Sequence, residues 1–356
     1  MELFKKMKEE GHEQVIFMQE NKTNLKAIIA IHNTVLGPAL GGCRMWNYDT
    51  EEEAVIDALR LAKGMTYKSG IAGEDFGGGK TVIWGDPETD KSEGLFRALG
   101  KFINALNGRY STGTDVGTTY DDFVLMRKET PYVGALPEEY GGSGDSSIPT
   151  AYGTFLGIRA SCKEKYGSES LEGKTVAVQG LGKVGSKLVK HLMNAGAEVY
   201  ATDINEDYIK WAREQGVKIV EPDEIYDVDC DIFSPNALGA VINDDTIERL
   251  KCDIVAGAAN NVLKESRHGD MLHEKGILYA PDYVINAGGL IQVADEMDPS
   301  GYSEERTMKK TEKIYDQLLE VYRISRENNI STQKAADHLV EERIKTMAAI
   351  NTIKDE

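Results

Sequence analysis

The sequence predicts an α/β fold with two domains. The chain has 356 residues, and globular domains usually contain about 150, so the length corresponds to two domains. Apolar residues make up 41% of the chain and charged residues 28%, as in folded proteins. Strand-like apolar runs alternate with helix-like segments in both halves, and in the second half this alternation predicts an open parallel sheet.

The first half is predicted to contain three strands and three helices. β-branched apolar runs predict the strands, and apolar residues at helical spacing predict the helices. Asp49 and Thr50 precede the first helix, where short polar side chains favour helix initiation. In chain order the predicted elements are the strands 15–17 and 27–31, the helix 51–63, the strand 81–84 and the helices 92–106 and 121–128.

The second half begins after a turn-rich segment, 131–149, in which glycine, serine and proline predict a domain boundary or hinge. Short apolar strands and helices then alternate, and two long charged helices follow. We interpret one of these last helices as a connection back to the first domain. The predicted elements are the helix 151–165, the strand 175–179, the helix 185–194, the strand 198–202, the helix 206–214, the strands 231–234, 253–257 and 277–280, and the helices 304–326 and 332–347.

The charge balance disfavours polyanionic partners. With 41 Lys and Arg against 59 Asp and Glu, the net charge is −18, which repels nucleic acids and anionic membrane surfaces. The four cysteines are scattered without metal-ligand spacing, so we expect no metal site. The charged amino terminus lacks the apolar segment of a signal peptide, and no run of 18 apolar residues occurs. We therefore expect a cytoplasmic protein with a small-molecule substrate.

A glycine-rich motif, GLGKVG, lies between the predicted strand 175–179 and the following helix. Such a loop lets a dinucleotide pyrophosphate approach the backbone and the helix amino terminus. Asp203 ends the next strand, 23 residues after the first glycine, where a carboxylate accepts ribose hydroxyls and repels a 2′-phosphate. The motif therefore predicts NAD binding, and the alternative is a tight turn without a ligand. Its residues are Gly180, Leu181, Gly182, Lys183, Val184 and Gly185.

Two lysines and an aspartate are candidates for catalysis. Lys80 follows a run of three glycines, 77–79, which we interpret as a place where the backbone approaches a ligand. A lysine near a second positive charge loses its proton more easily and can act as a general base; Lys68 could supply that charge and bind a carboxylate. Asp115 lies between glycines and hydroxyl residues. The alternatives are solvated lysines and a turn or helix-capping aspartate.

Several long segments resemble the bacterial leucine, phenylalanine and valine dehydrogenases, which are related to glutamate dehydrogenase. The similar segments occur in one order along nearly the whole chain. They are 25–42 (LKAIIAIHNTVLGPALGG), 57–68 (DALRLAKGMTYK), 77–83 (GGGKTVI), 107–119 (NGRYSTGTDVGTT), 176–185 (VAVQGLGKVG) and 280–296 (APDYVINAGGLIQVADE).

The resemblance implies reversible NAD-dependent oxidative deamination of an L-amino acid to a 2-oxo acid and ammonia. It implies that Lys80 is the catalytic acid and base and that Asp115 is its partner. Substrate contacts are implied for Lys68, Gly41, Gly113, Asn261 and Leu290. Cofactor contacts are implied for Thr150, Asp203, Ala237, Asn260 and the glycine loop. A sensor that binds NAD without catalysis is the non-enzymatic alternative, and the presence of both lysines and Asp115 argues against it.

The resemblance also implies a domain division and an assembly. Residues 1–135 with 330–356 are expected to form the substrate and oligomerisation domain, and residues 136–329 the Rossmann-type NAD-binding domain. Catalysis is expected in a cleft between them, and the protein is expected to be a homo-octamer.

Two positions bear on the substrate. Leucine dehydrogenases usually have alanine where this chain has Gly113, and the missing methyl group is expected to make room for a larger side chain. They usually have valine where this chain has Leu290. We predict phenylalanine as the substrate, with leucine, other branched-chain amino acids or tryptophan as alternatives. Asn236 replaces a cysteine of many relatives and is expected to alter contacts near NAD without removing activity.

Overall fold

The computed structural model describes residues 2–352, which divide into two compact units. The first unit contains the chain up to Gly144, Gln292–Glu304 and the chain from Val340 onward. The second contains Asp145–Ile291 and Glu305–Leu339. The segments 136–144 and 292–304 thus belong to the first unit and 330–339 to the second, whereas the predicted division placed each in the other domain. The roles expected of the two domains stay predictions.

The first unit is built on a five-stranded mixed sheet. The strand order is β1-β2-β4-β3-β5; β2 is antiparallel to β1 and β4, while β3 is parallel to β4 and β5. Its elements are α1 (Leu3–Glu10), β1 (Gln14–Glu20), β2 (Leu25–Asn33), β3 (Ala39–Trp46), α2 (Glu51–Ala72), β4 (Gly77–Trp84), α3 (Glu93–Asn104), β5 (Tyr110–Thr114) and α4 (Tyr120–Arg127).

Helices cover both faces of this sheet because successive strand residues point to opposite sides. Along β2, Ile28 and Ala30 pack with α2, whereas Ile29 and Ile31 join the cluster formed with α3 and α4. The α2 side chains in the first cluster are Ala54, Val55, Ala58, Leu59 and Ala62. The α3 and α4 side chains in the second are Leu95, Phe96, Leu99, Ile103, Phe123 and Met126.

The glycine run before Lys80 is part of a central strand, and its interpretation as a segment that approaches a ligand stays a prediction. The strand predicted over 81–84 begins at Gly77 and pairs with both β2 and β3. A Cβ on Gly78 would lie 2.2 Å from the backbone nitrogen of Thr66 in α2. Gly78 therefore permits close packing of α2 on the sheet.

The second unit contains a six-stranded sheet in which every pair is parallel, as predicted, with the order β11-β10-β9-β6-β7-β8. Helices α10 and α12 begin in this unit and end in the first. The remaining elements are α5 (Ser147–Tyr166), β6 (Thr175–Gln179), α6 (Lys183–Asn194), β7 (Glu198–Thr202), α7 (Glu206–Glu214), β8 (Lys218–Ile219), β9 (Ile232–Pro235), β10 (Ile254–Val255), α8 (Arg267–Glu274), β11 (Leu278–Tyr279), α9 (Asp282–Ile285), α10 (Gly288–Glu296), α11 (Glu304–Asn328) and α12 (Thr332–Ile350).

The predicted strands and helices are present, and several of them have different bounds. Helix α2 begins after Thr50, whose hydroxyl accepts the N–H of Glu53, and continues to Ala72, well beyond the predicted end at residue 63. Helix α5 begins at Ser147, so Thr150 lies in its first turn. The sequence did not predict strands β3, β5 and β8 or helices α1, α8, α9 and α10. Between residues 2 and 352, no helix is both long and apolar enough to cross a membrane.

Candidate active site

Lys80 and Asp115 contact each other in the first unit. The Nζ of Lys80 donates to Oδ2 of Asp115, and Lys80 is 5% exposed. Lys80 lies on β4 and Asp115 directly follows β5, so β3 separates their strands. Gly42 of β3 makes room between them, because a Cβ there would lie 2.9 Å from both Lys80 Nζ and Asp115 Cβ. The strand order thus brings together two residues that are 35 positions apart.

The carboxylate of Asp115 is held in place by its own turn. Its Oδ1 accepts the backbone N–H of Val116 at 2.7 Å, and its own N–H donates to Thr118 Oγ1 at 3.0 Å. Burial by itself raises the pKa of Asp115, but the positive charges of Lys80 and Arg44 outweigh it and lower that pKa below its ordinary value. Asp115 is therefore an anion at neutral pH.

Arg44, which the sequence analysis did not single out, adds a second cation to this carboxylate. Its Nη2 lies 3.7 Å from Asp115 Oδ2, while its Nη1 donates to Asp57 at 2.9 Å. Tyr48 and Arg60 donate to the same Asp57 carboxylate, each at 2.6 Å. The sequence does contain a signal for Arg44, because this arginine stands between the apolar residues Cys43 and Met45. Both neighbours are fully buried in the structure. An arginine in such a strand needs a carboxylate partner.

The other predicted residues of the first unit occupy β3, β5 and α2. Gly41 lies on β3, where a Cβ would come within 1.7 Å of the carbonyl oxygen of Gly79. Lys68 lies near the carboxyl end of α2. Arg343 of α12 donates to the carbonyl oxygens of Gly70 and Glu74 at 2.8 and 3.0 Å. The C-terminal helix therefore holds the end of α2 that carries Lys68.

Gly113 faces a small apolar wall. A Cβ on Gly113 would lie 3.4 Å from the Cβ of Ala135 and 3.6 Å from Cγ1 of Val293, which are ordinary contact distances. Glu296 holds this wall together, because its carboxylate accepts the backbone N–H groups of Ala135 at 2.8 Å and Ser143 at 3.0 Å. Burial raises the pKa of Glu296 despite these hydrogen bonds. Sequence reasoning missed this residue.

The glycine loop of the second unit has the geometry of a phosphate-binding turn. Gly180 has φ of +97°, which a residue with a side chain rarely adopts. A Cβ on Gly185 would lie 2.0 Å from the Gly180 carbonyl oxygen, so this glycine permits close packing of α6. A Cβ on Gly182, at the start of α6, would meet nothing within 4 Å. That open space beside free helix N–H groups fits the pyrophosphate of a dinucleotide.

Asp203 is connected to this loop. Its Oδ2 accepts the N–H of Leu181 at 2.6 Å and its Oδ1 accepts the N–H of Asn205 at 2.9 Å. These bonds fix the carboxylate orientation, and each oxygen retains a lone pair that can accept a ribose hydroxyl. The two remaining loop residues, Lys183 and Val184, form the first turn of α6.

Asn236 connects the ends of the strands next to the loop. Its Nδ2 donates to the Ser234 carbonyl at 2.9 Å, and its Oδ1 accepts the N–H of Ala258 at 2.9 Å. The neighbouring Ala237 faces Gly180, where a Cβ would lie 2.7 Å from the Ala237 Cβ. Asn236, the residue that departs from the family pattern, therefore fixes the backbone next to the glycine loop of the candidate cofactor site.

The remaining predicted residues also belong to the second unit. The Thr150 hydroxyl donates to the Ser146 carbonyl at 2.8 Å. Asn260 accepts a side-chain hydrogen bond from Asn286 at 2.8 Å, and the adjacent Asn261 is exposed with φ of +52°. Leu290 lies in α10 and is 8% exposed. No cluster of three metal-ligating side chains occurs in the part of the chain that the structure describes.

Two family models match this chain over most of its length. Residues 12–132 match "Glu/Leu/Phe/Val dehydrogenase, dimerisation domain", and residues 141–209 and 202–351 match "Glutamate/Leucine/Phenylalanine/Valine dehydrogenase". The chain belongs to this dehydrogenase family. The resemblance inferred from the sequence is thereby confirmed, as are the α/β fold class and NAD as the cofactor of the family. This family member is an amino-acid dehydrogenase, an oxidoreductase that acts on CH–NH2 groups.

Relatives with three different amino-acid names are similar to this dehydrogenase. A leucine dehydrogenase of Geobacillus stearothermophilus is 57% identical, over 98% of this chain and 94% of the relative. A phenylalanine dehydrogenase of Caldalkalibacillus thermarum is 53% identical, over 96% and 93%. The crystal structure of L-tryptophan dehydrogenase from Nostoc punctiforme is 46% identical with a TM-score of 0.87, over 97% of this chain and 99% of the other.

Proposed function

We propose that this dehydrogenase catalyses the reversible NAD-dependent oxidative deamination of an L-amino acid with a large apolar side chain, and that phenylalanine is preferred. The observation that carries the chemistry is the contact between the buried Lys80 and the partly buried Asp115. The observation that carries the substrate preference is Gly113, whose missing side chain leaves space beside Ala135 and Val293.

The residues of the first unit supply binding and proton transfer in this proposal. Lys68 binds the substrate carboxylate through charge. Lys80 takes a proton from water, which attacks the iminium carbon of the oxidised substrate, and later returns a proton as ammonia leaves. Asp115 stays anionic and holds the Lys80 ammonium in position.

The residues of the second unit supply the cofactor site. The open loop at Gly182 and the amino terminus of α6 would hold the pyrophosphate, and Asp203 the ribose hydroxyls. When bound, NAD accepts the hydride that leaves the substrate α-carbon. Thr150, with lone pairs left on its hydroxyl, is assigned to the nicotinamide amide. Ala237 and Asn260 are assigned to cofactor contacts and Asn261 and Leu290 to substrate contacts.

Leucine is the second candidate substrate. Leucine dehydrogenases are 57% identical to this chain, compared with 53% for a phenylalanine dehydrogenase. Pocket differences of one methyl group change selectivity by only about 1–3 kcal/mol, so overall identity does not decide between them. The local wall around Gly113 favours the larger side chain.

A substrate panel with a pocket variant tests the preference. We expect kcat/KM for phenylalanine to exceed that for leucine about tenfold with NAD, and NADP to be a poor cofactor. Gly113→Ala fits the wall without a clash and should move the preference toward leucine. Gly64→Ala, at an open position of α2, is the matched control and should leave the ratio unchanged. A wild-type preference for leucine would contradict phenylalanine as the substrate and leave the reaction type intact.

We also propose that the enzyme is a cytoplasmic homo-octamer. The support for self-association is the family description of residues 12–132 as a dimerisation domain. The number of subunits is open to direct measurement of the native mass.

A further inference from the structure

We propose that Arg44 is a positioning residue, and that its guanidinium keeps a positive charge next to the Asp115 carboxylate while Lys80 gives up its proton. This inference rests on the proposed function, because it concerns the same proton transfer.

The strand order gives Arg44 access to Asp115 and Asp57 at once. Arg44 lies on β3, between the strand of Lys80 and the strand that leads to Asp115. Its Nη2 is 3.7 Å from Asp115 Oδ2, the same oxygen that accepts Lys80 Nζ. Its Nη1 donates to Asp57 at 2.9 Å. The guanidinium is therefore held from one side and faces the catalytic pair with the other.

Asp57 is itself fixed, so Arg44 has little freedom to move away. Tyr48 donates to Asp57 Oδ2 and Arg60 to Asp57 Oδ1, each at 2.6 Å. The side chains of Arg44 and Asp57 are only 19% and 16% exposed. A planar guanidinium clamped in this way presents a permanent charge that no proton transfer can remove.

The permanent charge of Arg44 matters because the charge of Lys80 changes during the proposed reaction. When Lys80 releases its proton, Asp115 would remain a largely buried carboxylate without its partner cation, which is costly. Arg44 is a cation that stays, because it lies 3.7 Å from the Asp115 carboxylate and keeps its charge. Another group near the pair is the Cys43 thiol, whose pKa is raised by burial so that it stays neutral. The charges of Lys91 and Asp122, which form an ion pair with each other, also act on that thiol.

Removing this charge should make Lys80 hold its proton more tightly. Arg44 and Lys80 bring like charges to the same Asp115 oxygen, and a nearby like charge disfavours the charged form of a group by an amount that partial exposure reduces. In Arg44→Gln, we therefore expect the acid limb of the kcat/KM profile to move to higher pH by about one unit. Asp57→Asn removes a nearby negative charge and should move the limb the other way.

The experiment measures the pH dependence of kcat/KM for phenylalanine and NAD in four variants. Arg44→Lys keeps the charge and should restore most of the wild-type profile. Arg60→Gln removes an arginine that pairs with Asp57 and not with Asp115. This variant should leave the acid limb in place. If Arg44→Gln folds poorly, the opposite shift in Asp57→Asn decides the question.

Two results would overturn the role of Arg44. One is a profile of Arg44→Gln that superimposes on wild type, and the other is a drop in rate that is equal at every pH, as a structural role would give. The role would also be contradicted if the acid limb of Asp57→Asn did not move to lower pH. Failure of the proposed function is distinguishable, because the wild-type enzyme would then oxidise none of the amino acids tested.

Discussion

A buried lysine in contact with a partly buried aspartate is the residue-scale feature on which the proposed chemistry depends. Such a pair contributes little net stability, because the desolvation of both ions offsets their attraction. Gly42 leaves space for the pair and Arg44 adds a charge to it, so three neighbouring strands contribute to one arrangement. Charged groups placed together inside a sheet, despite the cost of their desolvation, are typical of a functional site.

Replacing Lys80 by Ala should reduce kcat about 10²- to 10⁴-fold, because the group proposed to transfer the proton is lost. The dissociation constant for NAD, measured by fluorescence titration, should change less than twofold, since the glycine loop belongs to the other unit. Lys91→Ala is the matched control, because it removes another lysine–aspartate ion pair of the first unit, formed at 2.8 Å. Normal turnover by the Lys80 variant would contradict the catalytic assignment.

The sequence predicted which residues form this site better than how they are held. Lys80 and Asp115 were recognised because each lies within a short sequence motif, 77–83 and 107–119, that can be read without knowing the fold. Arg44 was missed because its partner depends on β3 lying between β4 and β5, and strand order cannot be read from local patterns. Glu296 was missed for the same reason, since it accepts hydrogen bonds from Ala135 and Ser143 across a long stretch of chain.

At the scale of elements, two buried histidines join α1, β2 and α2. His32 Nε2 lies 3.0 Å from the Glu10 carbonyl oxygen, so this nitrogen carries the proton, and Nδ1 accepts the hydroxyl of Thr66 at 2.8 Å. His12 Nε2 likewise donates to the Leu59 carbonyl at 2.9 Å. These hydrogen bonds require the neutral form of His32, and burial lowers the pKa of His12 as well. The two rings meet in a T-shaped arrangement with centroids 4.8 Å apart.

The pair should make stability fall in mild acid. Burial, together with the nearby His12, lowers the pKa of His32 from 6.5 to about 4. The unfolded chain therefore binds a proton between these values while the folded chain does not, so stability is full above pH 6.5 and falls toward pH 4. We expect His32 to account for a loss of about 2 kcal/mol between pH 7.5 and 5.

Urea unfolding at one protein concentration measures this effect. His32→Gln retains hydrogen-bonding groups without the titration, so its free energy of unfolding should depend less on pH over this range. His273→Gln, which replaces a partly exposed histidine, is the control and should behave as wild type. Equal pH dependence of His32→Gln and wild type would refute the linkage.

The elements of the second unit were easier to predict than those of the first. Buried parallel strands such as β6 and β7 are continuous apolar runs bounded by turns, and both were predicted to the residue. Strands β3 and β5 contain glycines and hydroxyl residues where the chain packs closely, which obscures the strand pattern. The end of α2 was underestimated because glycines within it lower helical propensity, while tertiary packing extends the helix to Ala72.

At the scale of the whole molecule, net charge opposes self-association while exposed apolar side chains favour it. Each chain carries a net charge of −18. Large apolar side chains are nevertheless exposed in the first unit, and among them are Phe4, Phe17, Trp46, Val116 and Tyr120. Phe17 lies on β1, which is an edge strand of the described sheet, and unpaired strand edges are natural sites of association.

Phe17→Asp should therefore lower the native mass. Eight chains of 39.2 kDa amount to about 314 kDa, the mass expected for the wild type by light scattering during size-exclusion chromatography. A carboxylate on the half-exposed Phe17 site would meet apolar surface or like charge in any interface formed there, and should release smaller species. Ile204→Asp, at a 91% exposed position of the second unit, is the matched control and should retain the wild-type mass. An unchanged mass in Phe17→Asp would place the interface elsewhere on the molecule. A monomeric wild type would exclude the assembly altogether.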